Sequence, residues 1–575
     1  MRILLVYPNV GTHNGPHYPH GLGALAAVAA RAGHEVRTLL PATMPDESSF
    51  QQTLRAWPPE LAAFGFSSHQ WKYARRLMTW ARRADAPVLA GGVHASFAAD
   101  EVLASGACDW VCVGEGEGAL LELAAGREPA TIANLCGDGW RNAPRPLLAN
   151  LDELPVYDRR HFPQDAINRA NGGEVTVVVG RGCPYPCTYC CNGAWRAMYA
   201  GQPWVRWRSV AHLFAELDLL RRTYAVDSFY FEDDIFTLRR DFLEDFLGEY
   251  PRRIAVPFRA YFRVGTVERD DLRRLREAGL VMANVGVEHG DETIRREVLR
   301  REMSNAQIAE FFVWCRELGI RTRAFHIVGV PGETPATLRA TRDLCAQVAP
   351  DEVQISLFEP YPGTALYDQC LDAGTIKGVE RDTYFIDEPA VRLRDFPEAE
   401  LSAAYRDFCA QAREIEEDAL RRSLAAQTRG DIDLIAQWSP ETVRVRGAEP
   451  VTRKRVRIGA SERFCLFAHP RSEIVFPLAA GRYRFRAELA LDPLCLEWGG
   501  GGATFALAVD GREVWARFVD PKRRVEDRGW QAIEVELHLA EAGELSLITR
   551  PDADGDLTAL WALWGHPHLV REGGA

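Results

Sequence analysis

Gly180-Arg181-Gly182-Cys183-Pro184-Tyr185-Pro186-Cys187-Thr188-Tyr189-Cys190 follows directly on an apolar run, Val175–Val179. Its three cysteines have the spacing C-x3-C-x2-C. Thiolates are the usual ligands of iron–sulfur clusters, and three thiolates on a four-iron cluster leave one iron open for a substrate or cofactor. Zinc is the competing reading, but structural zinc takes four ligands. The only cysteine at hand for a fourth is Cys191, and adjacent cysteines ligate one ion awkwardly. A fortuitous group of cysteines is the third reading.

The stretch resembles the signature of the radical S-adenosylmethionine (SAM) superfamily, including the aromatic Tyr189 before the last cysteine. The resemblance implies that Cys183, Cys187 and Cys190 bind a [4Fe-4S] cluster. Its open iron would hold SAM, which an electron cleaves to a 5′-deoxyadenosyl radical.

Composition narrows the setting. At 575 residues the chain suggests about three domains. It is 47% hydrophobic and 26% charged, so large cores are affordable. The net charge is −12 and no long basic run occurs, which argues against a nucleic-acid partner. Met1–Pro8 reads as a first strand rather than a signal peptide. No run of about 18 apolar residues predicts a membrane span. Thirteen cysteines without an export signal predict a cytoplasmic protein, ten of them outside the motif and read as core.

Before the cysteine loop, strand and helix signals alternate. Strands are predicted at Ile3–Tyr7, Glu35–Leu40, Leu61–Phe66, Val88–Ala90 and Trp110–Val113, and helices at Gly21–Ala32, Trp71–Arg83 and Ala98–Ser105. Such alternation gives a parallel sheet covered on both faces, with ligands at the carboxyl ends of the strands. Those ends carry Ser67-Ser68-His69, Gly91-Gly92-Val93-His94 and Gly114-Glu115-Gly116-Glu117-Gly118. Paired glycines let a flat ligand approach the backbone.

Pro87–Ser96 and Asp109–Gly118 resemble the cobalamin-binding domain found ahead of many radical-SAM barrels. That resemblance implies bound cobalamin, with His20, Ser67, Gly91, Gly92, His94, Gly114, Glu115 and Gly116 as contacts. Cobalamin domains of other enzymes carry Asp-x-His-x-x-Gly, whose histidine ligates cobalt. Here Tyr18-Pro19-His20-Gly21-Leu22-Gly23 keeps the histidine and glycine but has Tyr18 in place of the aspartate. An orienting carboxylate normally accompanies a ligand histidine, so cobalt ligation by His20 stays open. The other reading makes His13, His17 and His20 loop residues touching solvent or the corrin edge. The whole domain also reads as a doubly wound domain without a cofactor.

After a linker beginning Leu151-Asp152-Glu153-Leu154-Pro155, strand–helix repeats continue to Phe358, six in all. This agrees with the partial (β/α)6 barrel of the radical-SAM core, whose chemistry sits at the strand ends. By resemblance, SAM contacts fall on Tyr189, Asp233, Arg263, Glu288 and Val328. Asp233 would face the amino group, the fork of Arg263 would hold the carboxylate, Glu288 the hydroxyls, and the segment at Val328 would lie beside the adenine. Asp234 reads as a helix cap or turn device. Pro360-Tyr361-Pro362-Gly363-Thr364 is also similar to the cobalamin-associated branch.

Phe396–Arg429 has helical periodicity. From Val443 short Val-, Phe-, Tyr- and Trp-rich runs alternate with turns such as Asp510-Gly511 and Asp554-Gly555, predicting an antiparallel β-sandwich. Its tryptophans, Trp498, Trp515, Trp530, Trp561 and Trp564, either stack on sugars, as in the carbohydrate-linked sandwich modules it weakly resembles, or fill the core.

The predicted protein is therefore α/β with four parts. Residues 1–145 form a doubly wound cobalamin-binding sheet and 146–395 a partial radical-SAM barrel with its linker. Residues 396–438 form a helical connection and 439–575 a β-sandwich. The family resemblance implies a cobalamin-dependent methyltransferase acting on an unactivated carbon or phosphorus of a small molecule, one bearing a saccharide if the sandwich binds sugar. A flavodoxin or ferredoxin would supply electrons. Cyclisation or ring rearrangement without methyl transfer is the second reading, and a non-catalytic cofactor-binding sensor or scaffold the third.

Overall fold

The computed structural model describes residues 1–10, 16–377, 388–427, 431–438, 444–446, 451–458, 461–469, 471–493, 501–551 and 561–572. His13, Trp498, Val443 and the turn Asp554-Gly555 lie outside these. The chain forms two compact units, Met1–Glu416 and Glu417–Ala575.

The first unit opens with a seven-stranded sheet. β1 (Arg2–Val6), β2 (Glu35–Leu39), β3 (Leu61–Gly65), β4 (Val88–Gly91) and β5 (Trp110–Cys112) are parallel in the order β2-β1-β3-β4-β5. β6 (Leu135–Gly137) and β7 (Trp140–Arg141) extend it antiparallel. All five residues of β3 are buried, as a parallel strand covered on both faces requires. The strand order reverses at β1, which opens a crevice at the carboxyl ends of β1 and β3. The helix Glu47–Ala56 escaped the sequence reading because Phe50 and Leu54 are its only buried residues; it starts where Asp46 caps Ser49 N. The predicted helix Ala98–Ser105 is two short helices, Val93–Phe97 and Ala99–Ala104, which break at Ala98.

The second sheet is an open half-barrel. β8 (Glu174–Val177) leads through the two-residue strand β9 (Gly180–Arg181), paired antiparallel with β10 (Arg206–Trp207), into β11 (Ser228–Phe231), β12 (Phe258–Phe262), β13 (Leu280–Glu288), β14 (Arg321–Val328) and β15 (Glu352–Leu357). β8 and β11–β15 form one parallel sheet in sequential order, with β8 and β15 at its edges. Burial alternates along β14, with Thr322, Ala324, His326 and Val328 buried. An aromatic layer with Phe214, Phe231, Phe246, Tyr250 and Phe258 fills the space between strands and helices. The β15 edge is covered by the long helix Glu398–Gln427, where Leu401, Tyr405, Phe408 and Ala412 pack on Val328, Ile355 and Leu357.

At the β8 edge the outward carbonyls have no neighbouring strand. Arg159 donates to Thr176 O (2.7 Å) and Arg208 to Val178 O (2.5 Å). Both guanidiniums pair with Glu216, at 3.0 and 2.5 Å, and all three side chains are at most 2% exposed. Burial pushes the Glu216 carboxyl up, but Arg208 and Arg159 together hold it below the usual range.

The second unit contains two antiparallel sheets. One includes Thr452–Ile458, Ser461–Ala468, Ala562–Glu572, Gly481–Leu491 and Gln531–Leu539; the other Arg444–Arg446, Ser472–Leu478, Gly543–Pro551, Ala503–Val509 and Arg512–Val519. Their facing side chains, among them Leu466, Phe485, Phe505 and Leu547, share one core, the expected sandwich. Trp564 lies fully buried in it and donates across the sheets to Thr549 Oγ1 at 3.2 Å. Trp515 and Trp561 pack partly buried against the same core, and Trp530 against a smaller one. The described tryptophans thus follow the core reading. Among the described residues no helix is long and apolar enough to cross a membrane.

Glu216→Gln would leave two buried guanidiniums short of a counter-charge. It should destabilise the first unit by about 3–5 kcal/mol, read from its urea midpoint. Because the folded pKa of Glu216 is depressed, its stabilisation is present above the unfolded carboxyl pKa of about 4.5 and is lost as pH falls through the folded value. Wild type and variant should therefore converge in stability toward acid.

Candidate active site at the barrel mouth

The cysteine loop connects β9 to the helix Asn192–Met198, and its entry is clamped. The Asp233 carboxylate accepts from Val179 N (3.0 Å) and Gly180 N (2.6 Å). Gly182 has φ +93, and a Cβ there would meet Trp204 O at 2.6 Å, so only glycine fits the turn before Cys183. In the middle of the loop, Thr188 donates through N to Leu299 O (3.2 Å) and through Oγ1 to Val298 O (2.5 Å). Its own carbonyl accepts from Leu366 N at 3.0 Å.

Donors also reach the sulfurs. Asn192 Nδ2 lies 3.6 Å from Cys190 Sγ, and Arg301 Nη1 lies 3.9 Å from Cys187 Sγ. The neighbouring Cys191 thiol, and after it the Asn192 donors, hold the Cys190 thiol down, whereas burial pushes Cys183 up to about 12. Among the described residues no three His, Cys, Asp or Glu side chains are gathered closely enough for a single ion. A tetrahedral zinc with bonds of about 2.3 Å needs its sulfurs within about 4 Å of one another; a four-iron cluster spans a wider set. Three thiols on one clamped loop, two of them facing N–H donors, fit the cluster.

Beside the loop, the Tyr189 hydroxyl donates to the Glu288 carboxylate, and Arg301 Nη2 stands 3.9 Å from Glu288 Oε1. Glu288 has a left-handed φ of +67. Burial pushes its carboxyl up, with Arg301 and then Tyr189 opposing. The Arg263 guanidinium stacks 4.0 Å over the Tyr185 ring and donates Nη2 to Glu302 O at 3.3 Å. Its Nη1 is buried with no partner. An orphaned guanidinium donor beside a second guanidinium, Arg301, suits a ligand carboxylate such as that of SAM.

Two expected SAM contacts have their side chains engaged elsewhere. Both Asp233 oxygens are engaged by loop N–H groups, so its contribution is to hold the loop. Val328 turns its side chain outward into the helix-covered core, leaving backbone at the barrel face. Asp234, read as a cap or turn device, instead accepts from Asn192 Nδ2 at 3.0 Å.

The expected cobalamin contacts divide. A cavity of about 310 Å³ is lined by His20, Gly65, Gly91, Gly92, Gly114, Glu115 and Gly116 from the first sheet, and by Val178–Arg181 from the cysteine-loop entry. Gly92 (φ +95) and Gly114 (φ +91) are left-handed, and a Cβ would lie 2.6 Å from Phe66 O and 2.0 Å from Tyr199 Oη respectively. An apolar, glycine-walled cavity at strand ends fits part of a flat cofactor. Ser67 and His94 do not line it. Ser67 forms a capping box with Gln70. His94 stacks on Trp71 at 5.4 Å, lies 3.0 Å from Ser68 Oγ, and has its pKa lowered by burial.

His20 Nε2 lies 3.2 Å from Glu232 Oε2, and its Nδ1 is buried without a partner. A carboxylate thus stands beside His20 from the end of β11 rather than from position 18. Tyr18 itself is core, its ring under the Arg159 guanidinium at 3.9 Å. Glu115 pairs with Arg206 (2.5 Å) and Arg181 (3.0 Å), and Glu117 with Arg181 (2.6 Å).

Sequence reasoning missed Arg301, Glu232 and Arg181. Arg181 stands inside the motif, directly before Gly182-Cys183, and Glu232 in the acidic run at the end of β11; Arg301 carried no signal. Replacing Cys183, Cys187 or Cys190 with serine should abolish the broad visible absorbance of the anaerobically reconstituted protein and cut bound iron from about four per chain to below one. Cys191→Ser should keep both.

Residues 177–345 match the model of the Radical SAM superfamily, and residues 8–124 that of the B12 binding domain. The chain is 27% identical over 430 residues to an uncharacterised methyltransferase of Pyrococcus horikoshii, covering 71% of this chain and 91% of that one. It is 26% identical over 403 residues to an anaerobic magnesium-protoporphyrin IX monomethyl ester cyclase of Cereibacter sphaeroides, covering 65% and 64%. Its fold is like that of the radical SAM methyltransferase TsrM from Kitasatospora setae, solved with cobalamin and a [4Fe-4S] cluster, with TM-score 0.57, 22% identity, and 65% and 75% of the two chains covered. The chain thus carries a B12 binding domain followed by a radical SAM domain, the pairing of the cobalamin-dependent radical SAM enzymes, which implies a [4Fe-4S] cluster, SAM and cobalamin as cofactors.

Proposed function

We propose that this protein is a methyltransferase acting on an unactivated carbon, or a phosphorus, of a small molecule. One observation carries the reading: the glycine-walled cavity shares a wall, Val178–Arg181, with the entry to the cysteine loop. A cofactor seated there is held next to the cluster loop by the same backbone. When bound, SAM on the cluster supplies a substrate-activating radical and cobalamin supplies a transferable methyl group.

The protein's own residues bind, orient and exclude. The free Nη1 of Arg263 takes a carboxylate, while Glu288, fixed by Tyr189 and Arg301, takes hydroxyl or ammonium donors. Below them, Tyr230, Tyr261 and Phe325 form a row of rings across the barrel interior, with centroids 5.5 and 5.7 Å apart. Asn284, paired with Tyr261 in register, is fully buried with both amide atoms unsatisfied. Ion pairs between Arg259 and Glu174, and between Glu352 and both Arg321 and Arg323, close the amino-terminal end of the barrel. Water and substrate therefore enter from the mouth. A low-potential carrier such as a flavodoxin or ferredoxin delivers the electron.

The methyltransferase of Pyrococcus horikoshii, and the cytidylyl-2-hydroxyethylphosphonate methyltransferase of Streptomyces wedmorensis at 23% identity over 489 residues, support methyl transfer. The cyclase relatives support the second reading, ring formation without methyl transfer. The deciding assay uses protein reconstituted anaerobically with iron, sulfide and hydroxocobalamin, then given SAM and a reductant. Formation of both S-adenosylhomocysteine and 5′-deoxyadenosine is the expected outcome. Deoxyadenosine alone would favour cyclisation, and neither product from a cofactor-loaded protein would sink the enzyme reading.

A further inference from the structure

The connection from β13 to the helix Asn305–Glu317 is built unlike any other in the barrel. It leaves β13 at Glu288 with φ +67, makes a π-helical turn over Ile294–Val298, and passes Arg300 with φ +48. Left-handed non-glycine residues and π turns each cost free energy and gather at functional sites. Here they are held from within by Arg295, a fully buried guanidinium. It donates to His289 O at 2.5 Å, to Met303 O at 2.9 and 2.7 Å, and to Asn305 Oδ1 at 2.7 Å. The connection is also fastened to the cysteine loop, since Val298 O and Leu299 O both accept from Thr188.

The residue delivered by this arm is Arg301. Its Nε and Nη2 donate to Gly286 O at 3.1 and 2.6 Å, which fixes the plane of the guanidinium. Nη1 is then aimed at Cys187 Sγ, 3.9 Å away, and Nη2 stands 3.9 Å from Glu288. The side chain is 10% exposed, so its charge is poorly screened. Cys187 is the most buried of the three motif cysteines.

We propose that Arg301 is a positioning residue that sets the reduction potential of the cluster held by Cys183, Cys187 and Cys190. This rests on the cluster reading above. Reduction adds one electron from an external low-potential donor to the cluster and no proton. A fixed positive charge and an N–H···S contact at a ligand sulfur stabilise the added charge and raise the potential. Lysine is a poorer substitute, because it cannot hold Gly286 O with two donors while offering a third to sulfur.

The test is a redox titration of the full-length reconstituted protein, following the EPR signal of the reduced cluster. In Arg301→Gln the ratio of reduced to oxidised cluster at a fixed potential should fall about tenfold or more, equivalent to a downward shift of about 59 mV for a one-electron couple. Arg301→Lys should fall between it and wild type, and Arg300→Gln, an exposed neighbour, should match wild type. An Arg301→Gln protein with full iron content and the wild-type midpoint would overturn the proposal. If that variant takes up no iron, wild-type protein labelled with [15N]arginine decides. A nitrogen coupling to the reduced cluster in pulsed EPR is expected, and its absence overturns the proposal equally. A wild type that binds no cluster would instead remove the cysteine reading itself, and this inference with it.

Discussion

β8 is an edge strand that must stop at a fixed place, because the cysteine loop begins three residues after Val179. An edge normally frays or recruits another strand. Here Arg159 and Arg208 occupy the outward carbonyls of Thr176 and Val178, and Glu216 holds both guanidiniums in place. The pair-wise attraction of such a buried triad barely offsets the desolvation of its charges. Its value is therefore directional: four short contacts fix the strand edge from which the loop departs. On the inner side Asp233 does the same for the next two N–H groups. The loop thus leaves a strand end constrained on both flanks, before any cluster ligand is reached.

The same logic extends along the β13 connection. The cysteine loop cannot hold itself, being Gly- and Pro-rich with almost no regular structure. Thr188 transfers the problem to Val298 and Leu299, and Arg295 transfers it again to His289 O and Met303 O, on either side of the π turn. Each step replaces a flexible element with one whose backbone groups are already satisfied. The strained φ values of Glu288 and Arg300 persist because the surrounding hydrogen bonds over-determine them.

The legible parts of the chain were those with a local signature. C-x3-C-x2-C, the six strand–helix repeats and the glycine-marked strand ends all lie within short windows, and each is found where it was read. Reading strand ends had a limit. Gly91, Gly92, Gly114, Glu115 and Gly116 reach the cavity, while Ser67 and His94 occupy equivalent places in sequence yet turn into a capping box and an aromatic stack. The first residues past a strand end choose between facing a ligand and starting a helix, and composition does not decide which. Glu216 and Arg159 look like ordinary surface charges until tertiary contact buries them. Glu232 meets His20 across 212 residues, a distance over which no single-sequence pattern operates. Arg301 follows a π turn, where helical periodicity loses phase.

Charge, as well as apolar packing, joins the cobalamin-binding sheet to the barrel around the cavity. Arg181 and Arg206 meet Glu115 and Glu117, and His20 meets Glu232. An apolar junction gains free energy by closing, since interiors pack to crystal-like density and leave few voids. Ion pairs and hydrogen bonds have preferred lengths, so they act as struts that stop the two walls from collapsing. With glycines at Gly91, Gly92, Gly114 and Gly116, no side chain grows in to fill the space. The roughly 310 Å³ left open beside the cysteine loop is therefore a consequence of which interactions bound it. Replacing those struts with larger apolar residues would be expected to close it while leaving both sheets intact.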